Sequence, residues 1–230
     1  IRHAIERLLF RLASSPHEPN FVLKGAMLFT VWRGSPHRPT QDLDLLGFGD
    51  PSPERLVRVF KDLCALSVED DGWLFAPDTV TAEAIRTIDE YGGVRVHLIG
   101  KLGSAIVRLQ IDIGFGDAIT PAATDANYPV LLSQPIPRLR IYPLVTVVAE
   151  KAEAITKLGM LNTRFKDYYD LQFLADHFEF NGDQIVQALQ ATFTRRGTAL
   201  PDILPTGLTA TCAQDSVKQQ QWSAFARRVA

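Results

Sequence analysis

The sequence predicts an α/β (α+β) chain: a mixed sheet with its own helices over residues 1–140, then a helical part over residues 141–230. Two observations carry that expectation. Up to residue 113, short apolar runs with alternating polar residues recur between turn signals, as in Val94-Arg-Val-His-Leu-Ile99. After Pro143 the alternation gives way to three helix-length segments, across a stretch (114–137) rich in Pro, Ala and Thr that reads as loop.

Residues 1–12 read as an amphipathic helix, too charged for the apolar core of a secretory signal. The absence of a starting Met suggests that a few residues have been trimmed. Phe21-Val-Leu23 is a short strand or lead-in to Gly25, and residues 26–32 suit a buried helix ended by Gly34 and Pro36. Residues 43–48 form an acid-bearing strand stopped by Gly49-Asp50-Pro51. Ser52-Pro53 then starts a helix to about residue 66 that buries Leu56, Val59, Phe60 and Leu63. Strands are expected at 73–75, 94–99 and 104–113, while 81–88 fits strand or helix equally. Helices follow at 143–158, 164–177 and 183–194, then a loop-like tail and a closing polar helix. Gly-Phe-Gly-Asp occurs twice, at 47–50 and 114–117, each time after an acid-bearing strand; shared strand-ending chemistry explains it without a repeat.

Hydrophobic content of 46% and charged content of 22% are those of an ordinary globular protein, and 230 residues supply ample core. No run of eighteen apolar residues occurs, so no membrane span is expected. Cys64 and Cys212 lie far apart without metal-type spacing, which points to a reducing, cytoplasmic setting. A net charge of -2 excludes a protein that holds nucleic acid by bulk basicity, though not one with a local basic patch. No two histidines have the i, i+4 spacing of a zinc hydrolase, and there is no Walker loop, GxSxG or CxxC.

The most telling residues are Asp42 and Asp44. Two apart on a strand, they leave one face while Leu43 and Leu45 point to the other. Neighbouring carboxylates repel unless a cation sits between them, so the pair suggests a divalent-metal site. Asp112 alternates with Leu109, Ile111 and Ile113 on another strand. If the two strands are adjacent, three carboxylates converge, as two-metal phosphoryl or nucleotidyl transfer requires. The alternative is that Asp112 meets an arginine, such as Arg95 or Arg108, across the sheet.

Lys151 sits midway along a stripe of Leu144, Val148, Ile155 and Leu158 on its helix. It either snorkels past its neighbours or grips a triphosphate. Asp167 and Asp170 are three apart at a helix start, where the dipole favours acids, and Asp170 has Arg164 and Lys166 nearby for an ordinary surface pair. Gly25 lets a phosphate approach the backbone, with Lys24, Arg38 and Thr40 as nearby contacts.

Together, Phe21-Val-Leu-Lys-Gly-Ala26, Arg38-Pro-Thr-Gln-Asp-Leu-Asp-Leu45, Gln110-Ile-Asp-Ile-Gly114, Glu150-Lys-Ala-Glu-Ala-Ile155 and Arg164-Phe-Lys-Asp-Tyr-Tyr-Asp-Leu171 resemble the AbiEii/AbiGii toxin family, nucleotidyltransferase-like proteins of type IV toxin–antitoxin systems. The resemblance covers roughly residues 20–175. It implies a polymerase-β-type nucleotidyltransferase core, Mg²⁺ and NTP binding, transfer of nucleotides to tRNA acceptor ends, and a cognate antitoxin. Asp42 and Asp44 match the family's metal-binding acids, and Asp112 a sheet acid that is less uniform. Lys151 matches the helix lysine placed on nucleotide phosphates, and Asp167 with Asp170 the late acidic motif. The expected catalytic set is therefore Asp42, Asp44, Lys151 and Asp167. Asp42, Asp44 and Asp112 are expected on metal, and Lys24, Gly25, Arg38, Thr40, Lys151 and Asp170 around the nucleotide. Ala26 departs from the Ser or Thr that often follows the motif glycine, which removes one phosphate-binding hydroxyl.

Three readings follow. The first is a Mg²⁺-dependent nucleotidyltransferase toxin acting on RNA, at the tRNA 3′ end. A second keeps the chemistry but modifies a protein or small molecule. A third is a non-catalytic nucleotide- or partner-binding module, toward which only Ala26 leans.

Overall fold

Seven strands form one mixed sheet in the order β3-β4-β5-β2-β1-β7-β6 in the computed structural model, which describes residues 1–85 and 92–229. The strands are β1 (Phe21–Lys24), β2 (Asp42–Gly47), β3 (Trp73–Ile85), β4 (Gly93–Leu102), β5 (Ala105–Phe115), β6 (Thr124–Asn127) and β7 (Arg138–Ile141). With helices α1 (Arg2–Ala13), α2 (Leu28–Arg33) and α3 (Pro53–Ala65), they make a first compact unit of residues 1–116 and 124–141.

The sheet's two faces follow from strand alternation. Leu23, Leu45, Ile113 and Val94 form one buried row across β1, β2, β5 and β4, and Leu43, Ile111 and Val96 form the next. α3 is capped by the Ser52 hydroxyl, which accepts from the Arg55 amide, and buries Leu56, Val59, Phe60 and Leu63 as its 3.6-residue period requires. The burial also reaches Cys64, where it pushes the thiol up to about 11. At pH 8 only about a thousandth of Cys64 is then thiolate. In a Cys212→Ser background, Cys64 should resist alkylation at pH 8 and become reactive only toward pH 11, as a timed thiol titration would show.

Helix α1 buries charge as well as apolar side chains. Arg11 forks onto Asp71 at 2.6 and 3.1 Å and also donates to the Trp73 carbonyl at 3.1 Å. Burial alone would raise Asp71, but the hydrogen bonds from Arg11 and the Trp73 amide outweigh it and hold the carboxyl below its ordinary range. The pair's stabilisation is thus present at neutral pH and lost only as pH falls below that range. Arg11→Ala leaves a buried carboxylate unpaired and should cost about 3–5 kcal/mol by urea denaturation at pH 7.

Two strands depart from expectation. Thr124–Asn127 and Arg138–Ile141 lie in or beside the stretch read as loop, yet pair antiparallel as β6 and β7, with β7 parallel to β1. β3 runs through Pro77 by shifting register between Ala76 and Thr81, which makes 81–85 strand; 86–88 of the undecided segment lie outside the described residues. Residues 26–32, expected as one helix, split into a 3-10 turn, Gly25–Met27, and the short α2.

The second unit comprises residues 117–123 and 142–230. It contains α4 (Leu144–Leu158), α5 (Phe165–His177), α6 (Gly182–Arg195), α7 (Ala210–Gln214) and α8 (Ser216–Val229). Val145 and Ala149 of α4 pack on Ala188 of α6, with Phe180, Ile185 and Leu189 around them. The Thr146 hydroxyl bonds both the amide and the carbonyl of Thr120, which ties segment 117–123 to α4. Among the described residues no helix is long and apolar enough to cross a membrane.

Candidate active site

Opposite the buried rows, the sheet of the first unit presents a polar face. Strand register sets Lys24, Asp44, Asp112 and Arg95 side by side across β1, β2, β5 and β4, in the charge order plus, minus, minus, plus. The adjoining row is Asp42, Gln110 and His97. Asp42 and Asp44 therefore share a face, each half-buried, as their spacing predicts.

Gly25 explains how the Asp44 carboxylate fits. Its backbone has φ +74°, and a methyl group placed on it would collide with the carboxylate oxygen and carbon of Asp44. The glycine thus leaves room for an acid beside the backbone. Because α2 is only six residues long, its dipole offers little to the phosphate expected at this turn. Gly25→Ala should displace Asp44. Gly34 has a similar φ of +78° with open space around it, so Gly34→Ala incurs only the backbone cost of about 1 kcal/mol. The destabilisation of Gly25→Ala beyond Gly34→Ala, read by denaturant melts of both, isolates the collision and should be clearly positive.

Asp112 occupies the row position beside Asp44, but its oxygens are engaged. Arg95 donates from Nε to Oδ1 at 2.8 Å and from Nη2 to Oδ2 at 2.7 Å, and Gln110 Nε2 adds longer bonds of 3.3 and 3.4 Å. Those hydrogen bonds raise Arg95 above its ordinary value against the opposing effect of burial, with the charges of Asp112, Asp42 and Glu83 adding to them. Arg95 is one of the two arginines anticipated as a cross-sheet partner for Asp112. Among the described residues no group of three or more His, Cys, Asp or Glu is placed to hold one metal ion. The Thr40 hydroxyl donates to the Asp42 carbonyl at 3.3 Å and steadies the loop entering β2, with Arg38 half-buried in the same loop.

The helical unit holds the other candidates. Lys151 does not snorkel: its ammonium donates to Asp167 Oδ1 at 2.9 Å and to Asp170 Oδ2 at 2.8 Å. Both aspartates are fully buried, and Arg164 Nε lies 2.8 Å from Asp167 Oδ2. Asp167 and Asp170, three apart on α5, turn together toward α4 rather than forming a surface pair. Of the expected stripe on α4 only Ile155 is buried, Leu144 and Val148 are half-buried and Leu158 is exposed; the buried face is Val145, Thr146, Val147, Ala149, Glu153, Ala154 and Ile155.

One charged cluster went unanticipated. Arg196, just after α6, lies 3.1 Å from Asp117, 3.2 Å from Glu150 and 2.9 Å from Glu153, and the Thr198 hydroxyl donates to Glu153 at 2.5 Å. Burial opposes its charge, but the three carboxylates override burial and raise Arg196 above its ordinary value. Glu150 and Glu153 flank Lys151 in sequence, so the cluster fixes the turn of α4 that carries the lysine. The one sequence signal was Glu153 set between Ala152 and Ala154 on its helix.

No curated protein sequence matches the chain significantly. The crystal structure of JHP933 from Helicobacter pylori is similar at 19% identity, over 99% of this chain and 93% of that one, with a TM-score of 0.50. A second H. pylori structure is similar at 18% identity, over 98% and 96%, also with a TM-score of 0.50. At such identities the likeness shows a shared fold. The model of the nucleotidyl transferase AbiEii toxin of type IV toxin–antitoxin systems matches residues 7–230, so the chain belongs to that family.

Proposed function

We propose that the chain is a Mg²⁺-dependent nucleotidyltransferase toxin that moves a nucleotide from NTP to RNA, at the 3′ acceptor end of tRNA, and so blocks translation. The observation that carries this reading is the Asp42–Asp44 pair on the polar sheet face, with Gly25 leaving room beside Asp44. Carboxylate oxygens are the ligands Mg²⁺ prefers, and Gly25 lets the Asp44 carboxylate lie against the backbone of the turn on the face it shares with Asp42. Bound by Asp42 and Asp44, the ion would neutralise charge on the transferring phosphoryl group. Asp112 would join the metal's ligands only by leaving its fork with Arg95. Lys24, adjacent to Asp44 in register, and Arg38 and Thr40 in the preceding loop supply contacts to the nucleotide phosphates. Lys151, aligned by Asp167 and Asp170, is a cation held in one orientation, the preorganisation that triphosphate recognition uses. The acceptor hydroxyl oxygen bonds to the α-phosphorus, the bond to the leaving pyrophosphate breaks, and the hydroxyl proton passes to solvent. The protein acts in the cytoplasm beside a cognate antitoxin.

The test is incubation with α-labelled NTPs, MgCl₂ and total tRNA. Label should enter tRNA, and should not do so with EDTA or with tRNA whose 3′-terminal diol has been oxidised by periodate. Label on protein, or equal incorporation into oxidised tRNA, would reject the 3′-end acceptor.

A further inference from the structure

We infer that the helical unit holds a binding pocket for an unpaired nucleobase at a single-stranded RNA end, formed by Phe165, Tyr168 and Trp222 with Lys218 at its edge. A cavity of about 590 Å³ lies between α5, α7 and α8, within the size range of small-ligand sites. α5 divides its labour by face. Asp167 and Asp170 turn to Lys151 on α4, whereas Phe165 and Tyr168, also three apart, line the cavity. From α8 come Trp222, edge-on to Phe165 at 6.2 Å and 39% exposed, and Lys218 one turn earlier. The Lys218 ammonium donates to the Asn162 carbonyl at 2.8 Å and stands 6.0 Å from the centre of the Phe165 ring. That hydrogen bond fixes a cation at the rim.

Charge distribution selects the ligand. In a chain of net charge -2, α8 carries Lys218, Arg227 and Arg228 and no acid. Of these cations Lys218 lines the cavity, and aromatic rings beside a cation are what single-stranded nucleic acid binds: bases stack on the rings whatever their identity, and a phosphate pairs with the cation. Thr209, Gln219 and Ser223 on the cavity wall already donate to the Thr206, Ala213 and Gln219 carbonyls, which leaves their oxygens as acceptors that a base edge can meet and an aliphatic ligand cannot use. The choice of RNA over a free nucleotide as the source of the base rests on the reading of this chain as an RNA-directed enzyme; the base-binding chemistry does not.

The experiment measures fluorescence anisotropy of a labelled RNA hairpin with a four-nucleotide 3′ overhang, in EDTA and without NTP. Trp222→Ala should weaken binding about tenfold, and Trp222→Phe, which keeps a ring, should stay within about twofold. Lys218→Gln should weaken binding and reduce the salt slope by about one. A blunt hairpin should bind about as weakly as the overhang does to Trp222→Ala. Thermal melts confirm that each variant is folded. Equal binding by Trp222→Ala and wild type, or equal binding of blunt and overhang hairpins, overturns the proposal. AMP that binds as tightly as the overhang, with the same loss in Trp222→Ala, overturns the RNA source. Label transfer that proceeds without Trp222-dependent RNA binding refutes the pocket alone. Trp222-dependent binding without any transfer refutes the enzymatic reading alone.

Discussion

Asp44→Ala should lower nucleotide transfer by about a hundredfold to a thousandfold while leaving the protein folded. The two halves of that expectation have one cause. Asp44 lies directly beside Asp112 on a parallel strand, and like charges side by side in a sheet destabilise it. Removing Asp44 relieves that repulsion and loses the attraction to Lys24 on its other side, and the two offset, so the melting free energy should change by less than about 1 kcal/mol. A structural aspartate would behave in the opposite way, with its loss lowering stability more than activity. Asp44→Asn sharpens the contrast, because it keeps shape beside Gly25 and removes only the charge. Activity and urea melts measured on the same preparations separate the two roles.

Lys151→Met should be the costliest single change in the helical unit. Asp167 and Asp170 are fully buried, and Lys151 donates to both. Without the ammonium, two buried carboxylates lose a shared cation, which should cost about 3–5 kcal/mol. Adding Asp170→Asn to Lys151→Met removes one of the stranded charges and should recover part of that loss without restoring transfer. Recovery of both would make Lys151 structural only, and recovery of neither would mean that the pairing is not what stabilises α4 against α5. Double-mutant cycles by urea denaturation, beside transfer assays at a temperature where both variants are folded, read this out.

Some of this was legible in the sequence because it depends on local period. The two-residue spacing of Asp42 and Asp44 put them on one face before any partner strand was known. The Leu56, Val59, Phe60, Leu63 stripe likewise placed α3 against a core. What was not legible depends on partners distant in sequence. Thr124-Asp-Ala-Asn127 has little strand propensity, and it becomes β6 because β7, itself held by β1, offers an edge. The same limit left the arginine beside Asp112 open between Arg95 and Arg108 until β4 was seen to bring Arg95 alongside. Lys151 was visible as a cation in an apolar stripe, but its acids lie on the next helix and read as a surface pair. Gly25 was legible as a special glycine, yet the group it accommodates is the Asp44 carboxylate, set there by the antiparallel register of β1 and β2.

The most direct test of nucleotidyl transfer compares two labels on the same NTP. With Mg²⁺ and tRNA, α-labelled NTP should leave its label on the 3′-terminal nucleotide of tRNA, while γ-labelled NTP should release its label as pyrophosphate, and Asp44→Ala should do neither. Transfer of the γ-label to any acceptor, or α-labelling of tRNA that survives Asp44→Ala, would contradict the account.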